Sequence, residues 1–262
     1  MTATADASIA ALRSTHDELT AIVRRLTDDQ LAAPSGASEW PVAQVLSHLG
    51  SGAEISAATL RLALEGTGSL PDGFNQSVWD RWNARTPRQQ ADGFVEADSA
   101  LVEAVERLTP EQRGSLPIRL GFLPSPVPVS TYVGMRLNEA AQHSWDVRVA
   151  FDDAAAIDTA TARLLVDHLA DGLGFLLGFT AKADEVREPA VVELVGLEHD
   201  LSLEESVSLV PSGGATTATF AGTPDAVARL FSGRLTPAHT PEGVRVSGNV
   251  GLEDLRRVFP GY

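Results

Sequence analysis

A chain of 262 residues with 44% hydrophobic and 21% charged residues has the composition of an ordinary soluble globular protein, built as one large or two modest domains. Its formal net charge of −15 repels phosphate backbones, and no cluster of Lys or Arg offers a local basic patch, so nucleic-acid binding is not expected. No apolar run is long enough to cross a bilayer, and the absence of Cys excludes disulfides, thiolate metal ligands and a protein thiol nucleophile. The opening residues, M-T-A-T-A-D-A-S, lack the basic and apolar regions of a signal peptide, and a cytoplasmic protein is the expectation.

The first predicted helix runs from Asp6 to Leu26. Ile9, Leu12, Leu19, Ile22, Val23 and Leu26 recur at helical spacing, and Asp6 reads as the N-cap. His16 falls on or beside that stripe and reads as a core-edge histidine, with a pocket-lining position as the alternative. A loop rich in Pro, Gly and Ser follows. The second helix begins near Pro41, where the missing N–H has no intrahelical partner to lose, and runs towards Glu65. Val42, Val45, Leu46, Leu49, Ala53 and Leu60 form its buried stripe, and His48 borders it. A ring at that border needs a polar partner, because a buried unpaired group costs about 1–3 kcal/mol.

From Gly66 to Thr86 the periodicity breaks, and Trp79, Trp82 and Arg85 suggest a short helix or a pocket-lining loop. A third helix follows Pro87, with Phe94, Leu101, Val105 and Leu108 as its stripe, and stops at Thr109-Pro110. Prolines then keep residues 114–128 out of regular structure. The next helix spans Ser130 to Asp153, with a Ser start, a double-Asp stop and no Pro between. Within it Glu139 and His143 stand four residues apart. That spacing is about 400° of rotation and about 6 Å of rise, which puts both side chains on one face, one turn apart.

A further helix, Asp158 to about Phe179, is weakened by its glycines. After Lys182 the character changes. A-V-V-E-L-V-G, L-S-L-E-E-S-V-S-L-V and A-T-T-A-T-F-A-G read as strands, then come a helix from Thr223-Pro224-Asp225, a strand V-R-V-S-G and a last helix G-L-E-D-L-R-R-V-F. The expected fold class is an α-helical N-terminal domain, residues 1–181, followed by a small α+β domain, residues 182–262.

His48, Glu139 and His143 form the candidate metal set. Two His and one Glu match the catalytic zinc pattern with a coordination position left open. The same set matches the two-His-one-carboxylate triad of non-haem iron. The Glu-His pair also occurs as a plain surface contact worth about 0.2–0.5 kcal/mol, so spacing alone leaves both readings open. Asp146 is either an acceptor that orients a histidine or a surface carboxylate facing Arg148. Trp145 reads as core or pocket wall. His168, His199 and His239 carry no partner motif and receive no role.

The segment E-W-P-V-A-Q-V-L-S-H-L-G, followed later by L-N-E-A-A-Q-H-S-W-D, resembles the mycothiol-dependent maleylpyruvate isomerase family of the DinB-like metalloprotein superfamily. The motifs are W-x-x-x-x-V-L-x-H-L on the second helix and E-x-x-x-H-x-W-D on the helix before the domain junction. The resemblance covers Asp6 to Asp153. The C-terminal part is more loosely similar to the sterol-carrier-like α+β domain that accompanies the bundle.

The resemblance implies a DinB-like four-helix bundle holding one divalent metal, most often zinc, with His48, Glu139 and His143 at the ligand positions. It implies mycothiol as a low-molecular-weight thiol cofactor or co-substrate and a small-molecule electrophile as substrate. A thiolate held by the metal would attack an electrophilic carbon. Isomerisation returns the thiol after rotation about the former double bond, and S-transfer releases the conjugate. The absence of Cys agrees, because the reacting sulfur must then arrive with a ligand. Arg234, in F-S-G-R-L-T-P, is the position matched to a catalytic arginine of the family's C-terminal domain. The protein is expected as a monomer or homodimer. Two competing readings use the same bundle: a non-catalytic metal or small-molecule binding protein, and a hydrolase acting through zinc-bound water. Activity with and without thiol separates them.

Overall fold

The structure, a computed structural model, describes residues 2–261. Its packing divides the chain into two compact units, one up to Ala155 and one from Ala156 onward. The first unit contains α1 (Thr2–Val23), α2 (Asp28–Leu31), α3 (Val42–Glu65), α4 (Phe74–Asn83), α5 (Pro87–Glu106), α6 (Pro110–Ser115) and α7 (Val129–Val149). The long helices α1 and α3 each pack on both α5 and α7, which closes the expected four-helix bundle. Leu12, Leu19, Val45, Leu46, Leu49, Phe94, Leu101 and Leu137 are fully buried in it, so the sequence stripes do face inward.

Helices α3 and α5 start where expected, beside Pro41 and at Pro87, while α1 and α7 start earlier. Helix α1 begins at Thr2, so Asp6 lies inside it rather than capping it, and its carboxylate accepts from Arg113 Nη1 at 2.6 Å. Three Thr-x-x-Gln capping boxes, at Thr27, Thr86 and Thr109, open α2, α5 and α6. Thr109-Pro110 therefore starts a short helix as well as following the end of α5. Helix α7 takes its N-cap at Pro128, two residues before the expected Ser.

The short-helix alternative for residues 66–86 is the one realised, as α4, which carries Trp82. Trp82 is buried, and its ring fills a slot left by two glycines: a Cβ at Gly50 would stand 2.2 Å from the ring and one at Gly93 3.2 Å. Its Nε1 donates to Glu54 Oε2 at 2.8 Å, and the Arg85 guanidinium lies over the ring at 3.8 Å.

The second unit begins with α8 (Thr159–Ala170) and α9 (Leu177–Thr180). Then come β1 (Ala190–Leu194), β2 (His199–Leu203), β3 (Val207–Pro211), β4 (Ala218–Ala221), α10 (Pro224–Phe231), β5 (Arg245–Gly248) and α11 (Leu252–Val258). The sheet order is β3-β2-β1-β4-β5, with β1 and β4 parallel and the other neighbours antiparallel. Val192 pairs with both Leu201 and Ala218; alternate positions of β1 and β4 are buried, while β2 is buried from Asp200 to Leu203. The stretch L-S-L-E-E-S-V-S-L-V is a hairpin reversing at residues 204–206, not one strand. The expected helix from Asp158 to Phe179 stops at Ala170, where Asp171 leaves helical geometry and Gly172 and Gly174 follow. Because α8 packs on α10, β2 and β3, the compact second unit starts well before residue 182, although its first strand begins only at Ala190. None of the described helices is long and apolar enough to cross a membrane.

Candidate metal centre

Helix α7 carries Arg136, Glu139, His143 and Asp146 at spacings of three, four and three residues. At about 100° per residue these fall within one stripe about 80° wide. Helix α3 faces that stripe with His48, and the loop before α3 brings Trp40 against it. His48 Nε2 lies 2.8 Å from Glu139 Oε2, and His143 Nε2 lies 3.7 Å from the same oxygen. One ligand atom from each of the three residues falls within 4.8 Å of the others. Ligand atoms on a tetrahedral zinc at about 2.1 Å stand about 3.4 Å apart, so two imidazoles and a carboxylate at these separations fit a small divalent cation.

The sequence profile described as the mycothiol maleylpyruvate isomerase N-terminal domain matches residues 12–148, which include all three of these side chains. The chain belongs to this family. Among solved structures it is similar to the crystal structure of the mycothiol-dependent maleylpyruvate isomerase, at 14% identity and a TM-score of 0.65 over 98% of this chain and 97% of that one. A mutant of that isomerase with one histidine changed to alanine is similar at 14% identity and a TM-score of 0.63, with the same coverage. At this identity the likeness is one of fold, and it runs through both units. No curated protein sequence matches the chain.

Within this maleylpyruvate isomerase-family bundle, second contacts orient the ligands. His143 Nδ1 lies 2.7 Å from Asp146 Oδ2, and Asp146 is fully buried. A carboxylate accepts from an imidazole N–H, so this contact anchors Nδ1 and turns Nε2 towards Glu139. This selects the orienting reading of Asp146 over a surface carboxylate. The loop is fitted to the same residue. Gly36 N–H donates to the Asp146 carbonyl at 2.8 Å, and a Cβ on Gly36 would meet Val149 at 2.8 Å and Asp146 Oδ1 at 3.0 Å. Trp40, held by Ser35 Oγ donating to its carbonyl at 2.8 Å, stacks on His143 at 5.9 Å between centroids and lies tilted against His48 at 5.1 Å. Trp145 is core, its Nε1 donating to the Ala155 carbonyl at 2.8 Å.

Burial pushes the Glu139 carboxyl up, but the His48 hydrogen bond and the charges of His143, His48 and Arg136 outweigh it and bring the value to about 2. Glu139 is therefore anionic at neutral pH. Its side chain remains 45% exposed against 14% for His143, so a small ligand can reach the centre from the Glu139 side.

Trp40, Arg136 and Asp98 carried no expectation from the sequence, and His16, expected as a core-edge histidine, is indeed buried. Trp40 stood in the motif without a role. Arg136, Asp98 and His16 form a buried network under the ligands: Arg136 Nη2 donates to Asp98 Oδ1 at 2.6 Å, and Asp98 Oδ2 lies 2.7 Å from His16 Nδ1. The available signal was an acidic residue on the apolar face of α5 and an arginine three positions before Glu139. Arg234 lies in the second unit after α10, half-buried, with Nη1 3.3 Å from the Ser232 carbonyl. His168, His199 and His239 also lie in that unit and join no metal-ligand group among the described residues.

Proposed function

We propose that this chain is a metal-dependent isomerase that works with a small external thiol, mycothiol, on a small electrophilic substrate, S-transfer being the alternative outcome of the same chemistry. The observation that carries this is the convergence of His48, Glu139 and His143 at an accessible edge of the bundle, in a chain that has no cysteine of its own. Zinc is the metal we assign, because two imidazoles, one carboxylate and an open position are its usual catalytic donor set. When bound, the metal supplies the positive charge that makes a thiolate available near pH 7 from a thiol whose ordinary pKa is about 8.5.

The chain's own residues have separable tasks. His48 and His143 offer neutral imidazole nitrogens, and Glu139 offers one negative charge that partly offsets the cation. Asp146 fixes the His143 tautomer and ring plane. Trp40 covers one side of both imidazoles and keeps bulk water from that side. His48 and Glu139, the more exposed pair, leave the opposite side open for thiol and substrate. Arg234 is proposed as the catalytic arginine on the strength of the sequence resemblance, its planar fork being suited to a carboxylate on the substrate.

Two variants test the assignment together, with mycothiol and maleylpyruvate as probes. His143→Ala should lose bound metal and turnover in parallel while keeping its helical content. Arg234→Ala should keep its metal and lose turnover. An active His143→Ala protein would move the reading to metal-independent chemistry, and an Arg234→Ala protein with wild-type rates would remove Arg234 from it.

A further inference from the structure

We propose that Arg136 is a positioning residue for the metal centre, and that the buried Arg136–Asp98–His16 network sets the separation of the two ligand-bearing helices. This rests on the metal reading above. Arg136 lies three residues before Glu139 on the same stripe of α7. Its Nη2 donates at 2.9 Å to the carbonyl of Leu49, the residue directly after His48 on α3. The same nitrogen donates to Asp98 on α5, and the other oxygen of Asp98 meets His16 on α1. His16 Nε2 closes the chain of contacts at Thr20 Oγ1, 3.4 Å away. One connected group thus touches all four long helices, one turn from the ligands.

A buried ion pair is weak evidence of a stabilising role. Taking a charge pair out of water costs several kcal/mol per ion, and well-packed apolar replacements of buried pairs are often neutral or stabilising. The side chains of Arg136, Asp98 and His16 are each no more than 5% exposed, and Arg136 Nε has no hydrogen-bond partner, so the arrangement is not optimised for burial. What it does supply is register. A guanidinium that bonds Asp98 while also bonding the Leu49 carbonyl fixes α7 against α3 and α5 at one height. Gly52 makes room for it, since a Cβ there would stand 3.2 Å from Nη1. Ligand sets tolerate only a few tenths of an ångström before affinity falls, so a fixed α3–α7 separation matters to His48 and Glu139 more than to an apolar core.

The test uses the full chain and Co2+ as a spectroscopic probe, with affinity read by chelator competition. The double variant Arg136→Met with Asp98→Leu removes both charges and keeps apolar volume. It should fold with a near-wild-type melting temperature, bind Co2+ about 10–100-fold more weakly, and show altered ligand-field bands. Arg136→Lys, which keeps the charge but loses the planar fork, should show a smaller shift in the same direction. A folded double variant with wild-type affinity and bands would overturn the inference and leave the metal reading standing. If the double variant does not fold, Arg136→Lys and His16→Gln decide by the same two readouts. Wild-type protein that takes up no Co2+ would overturn the metal reading, and this inference with it.

Discussion

Asp146 and Asp98 are both buried carboxylates beside a histidine, and they act at different distances from the centre. Asp146 touches a ligand directly, so Asp146→Ala should weaken metal binding about 10–100-fold, while Asp146→Asn, which still offers an oxygen to Nδ1–H, should lose less. Competition titration of the metal ranks the three proteins, and equal affinities would contradict the orienting role. Asp98 answers to pH instead. Burial pushes its carboxyl up, but the Arg136 charge and the hydrogen bonds from His16 and Arg136 hold it below its ordinary value. A lowered folded-state value contributes stability that is fully present above the ordinary carboxylate pKa of about 3.9 and is lost as pH falls below it. Denaturation curves from pH 5 downward should therefore be steeper with pH for wild type than for Asp98→Asn. At this scale the candidate set His48, Glu139 and His143 was legible because Glu139 and His143 share one helix face and His48 needed a partner. The Arg136–Asp98–His16 network was not, although His16 was expected at a core edge, because its members are scattered over three helices and only packing brings them together.

The elements were legible where burial is periodic and less so where capping or glycine decides. The stripes of α1, α3 and α5 face the core as read. The Thr-x-x-Gln boxes were passed over as loop, since their signal is four residues long and carries no apolar period. The α8 break at Asp171 and the β2–β3 hairpin are turns inside apolar sequence, where composition changes too little to mark them. Close approach in the bundle depends on glycine. A Cβ at Gly50 would fall 2.2 Å from the Trp82 ring and 3.1 Å from Phe94 Cα, and neither the ring nor the backbone can yield easily. Gly50→Ala should accordingly destabilise the protein by about 1–3 kcal/mol despite the better helix propensity of Ala, as measured by urea denaturation. A stabilised variant would mean that α4 moves freely away from α3.

For the whole molecule, the change from helical stripes to alternating strands announced two kinds of architecture, and both are present. The extent of the second unit was not legible, because α8 is helical by pattern yet belongs by packing with α10 and the sheet. The strand order β3-β2-β1-β4-β5, with a parallel pair at β1 and β4, was not legible either, since register depends on contacts distant in sequence. The charge of −15 counted against nucleic acid, and the absence of Cys means that any thiol chemistry must use an external thiol. The account stands or falls on joint dependence on metal and thiol. The direct measurement is the rate of maleylpyruvate isomerisation by protein purified without chelator, with and without added mycothiol, and again after metal removal and zinc restoration. The account predicts turnover only when metal and thiol are both present, with activity restored by zinc; full turnover in thiol-free buffer, or unchanged turnover in metal-free protein, would contradict it.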